Sequence, residues 1–265
     1  MNQVIYVLRN PRWAMQSYLT ILSELNYAHT WEIAYDHLPE VFTKQAPMED
    51  WIQWRDYRFN DEIRLWGLHI DFYMTNGQQY WMPIDFERNG QWPFQFYNES
   101  DRPWPQDYHC ANDIDSCVPV AIIGYERLRD PVHGQGELHK IANALRGKHG
   151  MTVLPEENID CITLAPDNDA RDRNGLPRTA YNFTLEQMYK IEDKLVEYSD
   201  KYSTGQWANM TQAQDLVWDF EHYLVEVREE IAEMEANPPP TRAPDPNYEY
   251  INAITLGPLI IPPRL

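Results

Sequence analysis

Basic residues are scarce in this chain: 22 Lys+Arg stand against 41 Asp+Glu, a formal net charge of −19 over 265 residues. That balance argues against nucleic acid as a direct partner, because such affinity comes largely from Lys and Arg neutralising phosphates. Cysteine is thin as well. Three cysteines, an odd number, make no disulfide framework and point to a reduced compartment. No apolar run approaches the about 20 residues that a membrane helix requires. Met1-Asn2-Gln3-Val4 offers neither a basic region nor a small-residue cleavage site. The expectation is a cytoplasmic protein, in the host cytoplasm if the source is viral. Glycine (11) is outnumbered by proline (20), which implies stiff, extended connections rather than flexible ones.

What the chain does have is rings and acids. Ten Trp, seventeen Tyr and 43% hydrophobic residues suffice for a real core and exclude wholesale disorder. An α+β fold is expected: a body of short strands and helices over residues 1–178, an acidic helical hairpin over 179–237, and a Pro-rich extended tail over 238–265. Val4 to Leu8 reads as a strand. Asn10 then caps a helix with Pro11 at its first position and Met15, Leu19 and Leu22 along its apolar stripe. A second helix is expected from Thr30 to Pro39.

Residues 65–87 read as a β-hairpin. Asn76-Gly77 separates two alternating, aromatic-rich runs, with Leu68, Ile70, Phe72, Met74 and Trp81 on one face. Val118 to Tyr125, Met151 to Leu154 and Ile159 to Leu164 are expected strands. Gly136 to Lys148 is an expected helix ended by Gly150.

The last third changes character. Thr184-x-x-Gln187 and Thr211-x-x-Gln214 have the spacing of capping boxes, and each precedes a run of helical periodicity. These runs predict two long helices joined by Ser203 to Met210. Between Thr184 and Ala236 there are thirteen acidic residues and four Lys or Arg. Asp215/Asp219, Glu226/Glu230 and Glu229/Glu233 are like-charge pairs at i,i+4, each costing about 0.2–0.5 kcal/mol in a helix. A sequence tuned only for stability would alternate signs more often. The stripe Asp215, Asp219, Glu226, Glu229, Glu230 and Glu233 is therefore the candidate partner-binding surface. Pro238-Pro239-Pro240 ends the second helix. Ile254, Leu256, Leu259, Ile260 and Ile261 form an apolar arm that fits the groove of an adjacent copy, which predicts a homo-oligomer.

Motifs for catalysis or metal do not emerge. His69-x-Asp71 has no third ligand, and His109-Cys110-x-x-Asp113-x-Asp115-x-Cys117 lacks zinc spacing. Asp167-x-Asp169-x-Arg171 starts like a calcium loop and then fails. Asp71, Asp85 and Glu87 only distantly suggest a metal-dependent nuclease. His133, His139 and His149 fall at no paired spacing, and Cys110, Cys117 and Cys161 lack the context of a nucleophile. The tryptophans 51, 54, 66, 81, 92 and 104 suit core and interface better than base stacking, since Arg55, Arg58 and Arg64 are offset by nearby acids.

No cofactor and no metal are expected. The function expected is non-enzymatic binding to a basic protein surface, of the kind a viral or mobile-element inhibitor uses against a nucleic-acid-binding defence enzyme. The alternatives are a structural assembly protein of a virion or homo-oligomeric complex, and a metal-dependent enzyme whose site the sequence does not reveal.

Overall fold

The computed structural model describes residues 4–27, 48–74, 118–147, 152–160 and 182–238. The α+β class stands, with helices dominating. The elements run β1 (Ile5–Leu8), α1 (Pro11–Tyr27), α2 (Met48–Met74), β2 (Ala121–Gly124), α3 (Tyr125–Arg129), α4 (Gly134–Leu145), α5 (Glu156–Ile159), α6 (Leu185–Ser203), a 3₁₀ turn (Gly205–Trp207) and α7 (Thr211–Ala236).

β1 and β2 pair in parallel, from Ile5 opposite Ala121 to Leu8 opposite Gly124. Parallel pairing needs a crossover, here the long stretch between Leu8 and Ala121, and it favours strands covered by helices. All four residues of β2 are buried. α1 starts as its sequence predicts. The Asn10 side-chain oxygen accepts from the Arg12 backbone N–H at 3.0 Å, and the Asn10 carbonyl accepts from the Ala14 N–H at 2.8 Å. A cap of this kind contributes about 1 kcal/mol.

Leu65 to Met74, the expected first arm of the β-hairpin, is helical and closes α2. Phe59, Ile63, Ile70 and Met74 are buried, at the three- and four-residue spacing (or their sum) of one helix face. That longer period overrides the alternation of Leu68, Ile70, Phe72 and Met74. Asn76-Gly77 and the second arm lie outside the described residues. So do the expected helix after Thr30, the three cysteines, Gly150, the Asp167 loop and the apolar arm from Ile254 to Ile261. The expected strand from Val118 is shortened to Ala121–Gly124, the stretch matched to β1, and Tyr125 opens a helix instead. Within the expected strand Met151–Leu154, residues 152–154 form no strand, and Ile159 ends a short helix rather than starting a strand.

α6 and α7 form the expected antiparallel pair. Tyr189 near the start of α6 hydrogen-bonds Glu235 near the end of α7, and Arg228 Nε meets Glu192 Oε1 at 2.6 Å. At the other end Tyr202 packs edge-on against Trp207, with centroids 5.2 Å apart. The capping box at Thr184 is complete: its hydroxyl accepts from the Gln187 N–H, and the Gln187 side chain accepts from the Thr184 N–H. The second box does not form. Met210 takes the cap position with no side-chain cap bond, and Thr211 is already helical. Trp207 and Met210 are both buried, so packing fixes the entry to α7 one residue earlier than the threonine.

Met188, Ile191, Leu195, Leu216, Phe220, Val227 and Ile231 bury the facing stripes of the pair. Each contributes about 1.5–3 kcal/mol before chain entropy is deducted. These side chains belong to the same hydrophobic cluster as Leu8, Met15, Trp51, Ile70 and Ile122. One core thus crosses positions 178/179, where composition placed a boundary.

Candidate functional site

The six acidic residues singled out by sequence do not share one environment. Asp219 is 1% exposed. Its carboxylate pairs with Arg127: Oδ2 accepts from Nη2 at 2.9 Å, and Oδ1 lies 2.7 Å from Nε as an ion-pair contact outside hydrogen-bond alignment. Asp215 accepts from Lys140 at 2.7 Å, and Lys140 also reaches Glu137 at 3.0 Å. Glu137 in turn lies 3.1 Å from Arg127. Three carboxylates and two cations therefore form one cluster. Burial first, then the neighbouring carboxylates Glu137 and Asp215, outweigh Arg127 and push Asp219 up to about 7. Arg127 pays for burial too, but Asp219 and Glu137 hold its pKa above the ordinary value.

Gly124, the last residue of β2, is a steric requirement of this cluster. A Cβ there would overlap the Asp219 carboxylate and lie 2.9 Å from Arg127 Nε.

Glu230 accepts from Arg12, and Glu226 accepts from the Asn10 amide at 2.8 Å. Four of the six acids are thus engaged within the chain, which explains why the like-charge pairs Asp215/Asp219 and Glu226/Glu230 are tolerated. Glu229 and Glu233 are exposed and make no ion pair among the described residues.

His69 and Asp71 sit on α2 rather than on a strand face. Asp71 is buried and accepts from Lys201 at 2.6 Å, Tyr202 at 2.7 Å and Tyr198 at 3.0 Å. Burial, and then Asp71, raise both tyrosines. Burial lowers His69. His133 pairs with Asp130 and His139 with Asp160, both near the surface. Among the described residues no group of three or more His, Cys, Asp or Glu could hold a metal. Among them, too, no helix is long and apolar enough to cross a membrane. Trp51 stacks on Trp54 with centroids 5.8 Å apart, and Trp66 donates to the Arg9 carbonyl at 3.1 Å, so these rings serve the core.

A second constellation was not legible in the sequence. A pocket of about 370 Å³ opens at the carboxyl ends of β1 and β2. The chain leaving β1 supplies Arg9 and Trp13, the chain leaving β2 supplies Tyr125, Glu126, Arg129 and His133, and α7 supplies Trp218, His222 and Glu226. The mouths of parallel strands are where α/β folds hold ligands, because neighbouring connections diverge there and leave a crevice. Trp218, His222 and Glu226 follow at i,i+4 on one helix face. The Trp218 and His222 rings stack at 5.5 Å with 13° between planes. Arg9 and Arg129 lie over the Tyr125 ring, at 4.7 and 5.8 Å.

Asn10, fully buried, ties the floor together. Its backbone N–H reaches Glu126 Oε2 at 3.3 Å while its side chain holds Glu226. Tyr223 donates to the same Glu126 oxygen at 2.8 Å. Burial raises Glu126, with the hydrogen bonds from Tyr223 and Asn10 and the charge of Arg9 opposing. Comparison with protein-family models, with curated proteins and with solved structures finds no match for this chain.

Proposed function

We propose that this chain is an acidic protein-binding protein that occupies the basic surface of a nucleic-acid-binding enzyme, as an inhibitor directed against a defence enzyme would. The observation that carries the reading is the outer face of the α6–α7 pair. Asp193, Asp200, Glu221, Glu229 and Glu233 are exposed there and make no ion pair among the described residues. Val225, 55% exposed, stands one turn from both Glu221 and Glu229. An exposed apolar side chain between uncompensated carboxylates gives a basic partner both charge steering and a desolvated contact. The acids that the fold uses for itself lie elsewhere on the same helices.

The test uses immobilised DNA-binding nucleases as probes and duplex DNA as competitor. The chain should bind in competition with DNA, with affinity falling as salt rises. Replacing Glu229 and Glu233 by Gln should weaken binding by about tenfold. The charge-matched replacement of Glu156 and Glu157 should not. Equal losses in both variants would reduce the effect to net charge and overturn the assignment to this face.

A further inference from the structure

The pocket at the strand mouths carries a second activity, independent of the acidic face. We infer that it binds the vicinal diol of a sugar ring, whether in a free sugar or in the ribose of a nucleoside.

The argument starts from its two glutamates. Glu126 and Glu226 come from different segments, and each gives one carboxylate oxygen to Asn10. Their second oxygens each lie near a side-chain nitrogen but accept no hydrogen bond among the described residues: Glu126 Oε1 lies 3.6 Å from Arg9 Nε, and Glu226 Oε1 lies 3.7 Å from His222 Nε2. Both distances exceed hydrogen-bond range. Two carboxylate acceptors tied to one buried asparagine thus line the same pocket. Neighbouring hydroxyls of a ring polyol supply two such donors at once.

Charge decides against a simple anion. The lining includes Arg9, Arg127 and Arg129 but also Glu126, Asp130 and Glu226, so a phosphate would meet three carboxylates, and Arg127 is already held by Asp219. A neutral polyol suits a wall of mixed donors and acceptors. Aromatic surface lines the cavity as well: Trp13, which carries Arg12 over its ring, and the Trp218–His222 stack, which carries Arg127, offer apolar ring atoms for the C–H groups of a sugar. The volume, about 370 Å³, falls in the range of roughly 300–1,000 Å³ typical of small-molecule sites.

Titration calorimetry on the full chain tests this with D-ribose, adenosine, 2′,3′-dideoxyadenosine and inorganic phosphate. Ribose or adenosine should saturate the site with a dissociation constant of about 1 mM or tighter. Binding of ribose, with or without adenosine, assigns the source to a free sugar, and adenosine alone assigns it to a nucleoside. Dideoxyadenosine should bind at least about tenfold more weakly than adenosine if adenosine is the ligand. Glu226→Gln keeps an acceptor for Asn10 but presents an amide to the diol, and it should lose about tenfold for whichever probe binds. Three results would overturn the inference: no saturation by ribose or adenosine, equal binding of adenosine and its dideoxy form, or phosphate binding in place of both. The comparison of probes on the unaltered chain keeps the inference testable even if the variant does not fold.

Discussion

Arg12 and Glu230, 218 positions apart, are joined by three hydrogen bonds: Nε to both carboxylate oxygens at 3.0 and 2.9 Å and Nη2 to Oε1 at 2.8 Å. The pair fastens the first turn of α1 to the last turns of α7. The guanidinium also lies over Trp13 at 4.6 Å and Phe183 at 5.1 Å. Arg12 is 2% exposed, whereas the Glu230 side chain is 24% exposed. Breaking the pair from its two ends therefore has unequal consequences. Arg12→Met should cost less than Glu230→Gln: it removes the buried charge, keeps apolar packing against the rings, and leaves a carboxylate that water can reach. Glu230→Gln takes the opposing charge away from a buried guanidinium that keeps Asn182 within 3.5 Å, and should cost about 3 kcal/mol. Urea unfolding of both variants checks the order.

Gly67 lies inside α2, where alanine would ordinarily be favoured by about 1 kcal/mol. Here a Cβ would fall 2.5 Å from the Tyr198 hydroxyl oxygen and 2.6 Å from its ring. Tyr198 is held by Asp71 on one side and packed against Trp66 and Phe220 on the other. The ring has no room to withdraw, and overpacking of this kind costs about 1–3 kcal/mol. Gly67→Ala should therefore lower the unfolding midpoint in spite of its better helix propensity. A raised midpoint would show that α2 yields at this contact.

The two threonines ahead of the C-terminal helices should answer differently to the same substitution. Thr184→Ala removes both a side-chain acceptor and half of a reciprocal cap, and should cost about 1 kcal/mol. Thr211 is exposed and caps nothing, so Thr211→Ala should stay within about 0.5 kcal/mol of the parent. Thermal denaturation of the two variants side by side measures the contrast.

That contrast also marks how far the sequence could be read. Apolar periodicity was sufficient for α1, α6 and α7, because each stripe runs longer than any competing pattern. It failed at Leu65 to Met74, where ten residues satisfy both an alternating and a helical reading. Only the wider spacing from Phe59 through Ile63 to Ile70 and Met74 decides between them. The acids of α7 were visible as a stripe, but their division into internal partners and exposed groups was not. Arg12, Asn10, Arg127 and Lys140, which engage four of them, come from segments far away in the chain. The pocket was invisible for the same reason, since Arg9, Glu126 and Trp218 meet only once the parallel strands pair.

Asp219 sets a pH dependence with a definite sign. Its folded pKa is about 7 against an ordinary 3.8, so between those values the folded state keeps a proton that the unfolded chain has released. Its contribution to stability is present in full below the ordinary value and is lost as pH rises through about 7. Asp219→Asn removes this titration while Glu137 and Asp215 remain beside Arg127. The variant should therefore gain on the parent chain as pH rises from about 5 to 8, by no more than about 1.4 kcal/mol per pH unit. Chemical denaturation across that range checks it. A constant difference between the two proteins would mean that Asp219 is ionised throughout.

The bare backbone of Gly124 has a consequence for how this protein can change over time. The Asp219 carboxylate fills the volume that a side chain at 124 would claim, so the two positions share one space. Position 124 cannot drift first. An alanine or serine at 124 becomes admissible only in a chain that has already shortened or withdrawn the residue at 219, and that step also releases Arg127 from its tightest partner. Among relatives of this protein, positions 124 and 219 should therefore vary as a linked pair, with Arg127 following them.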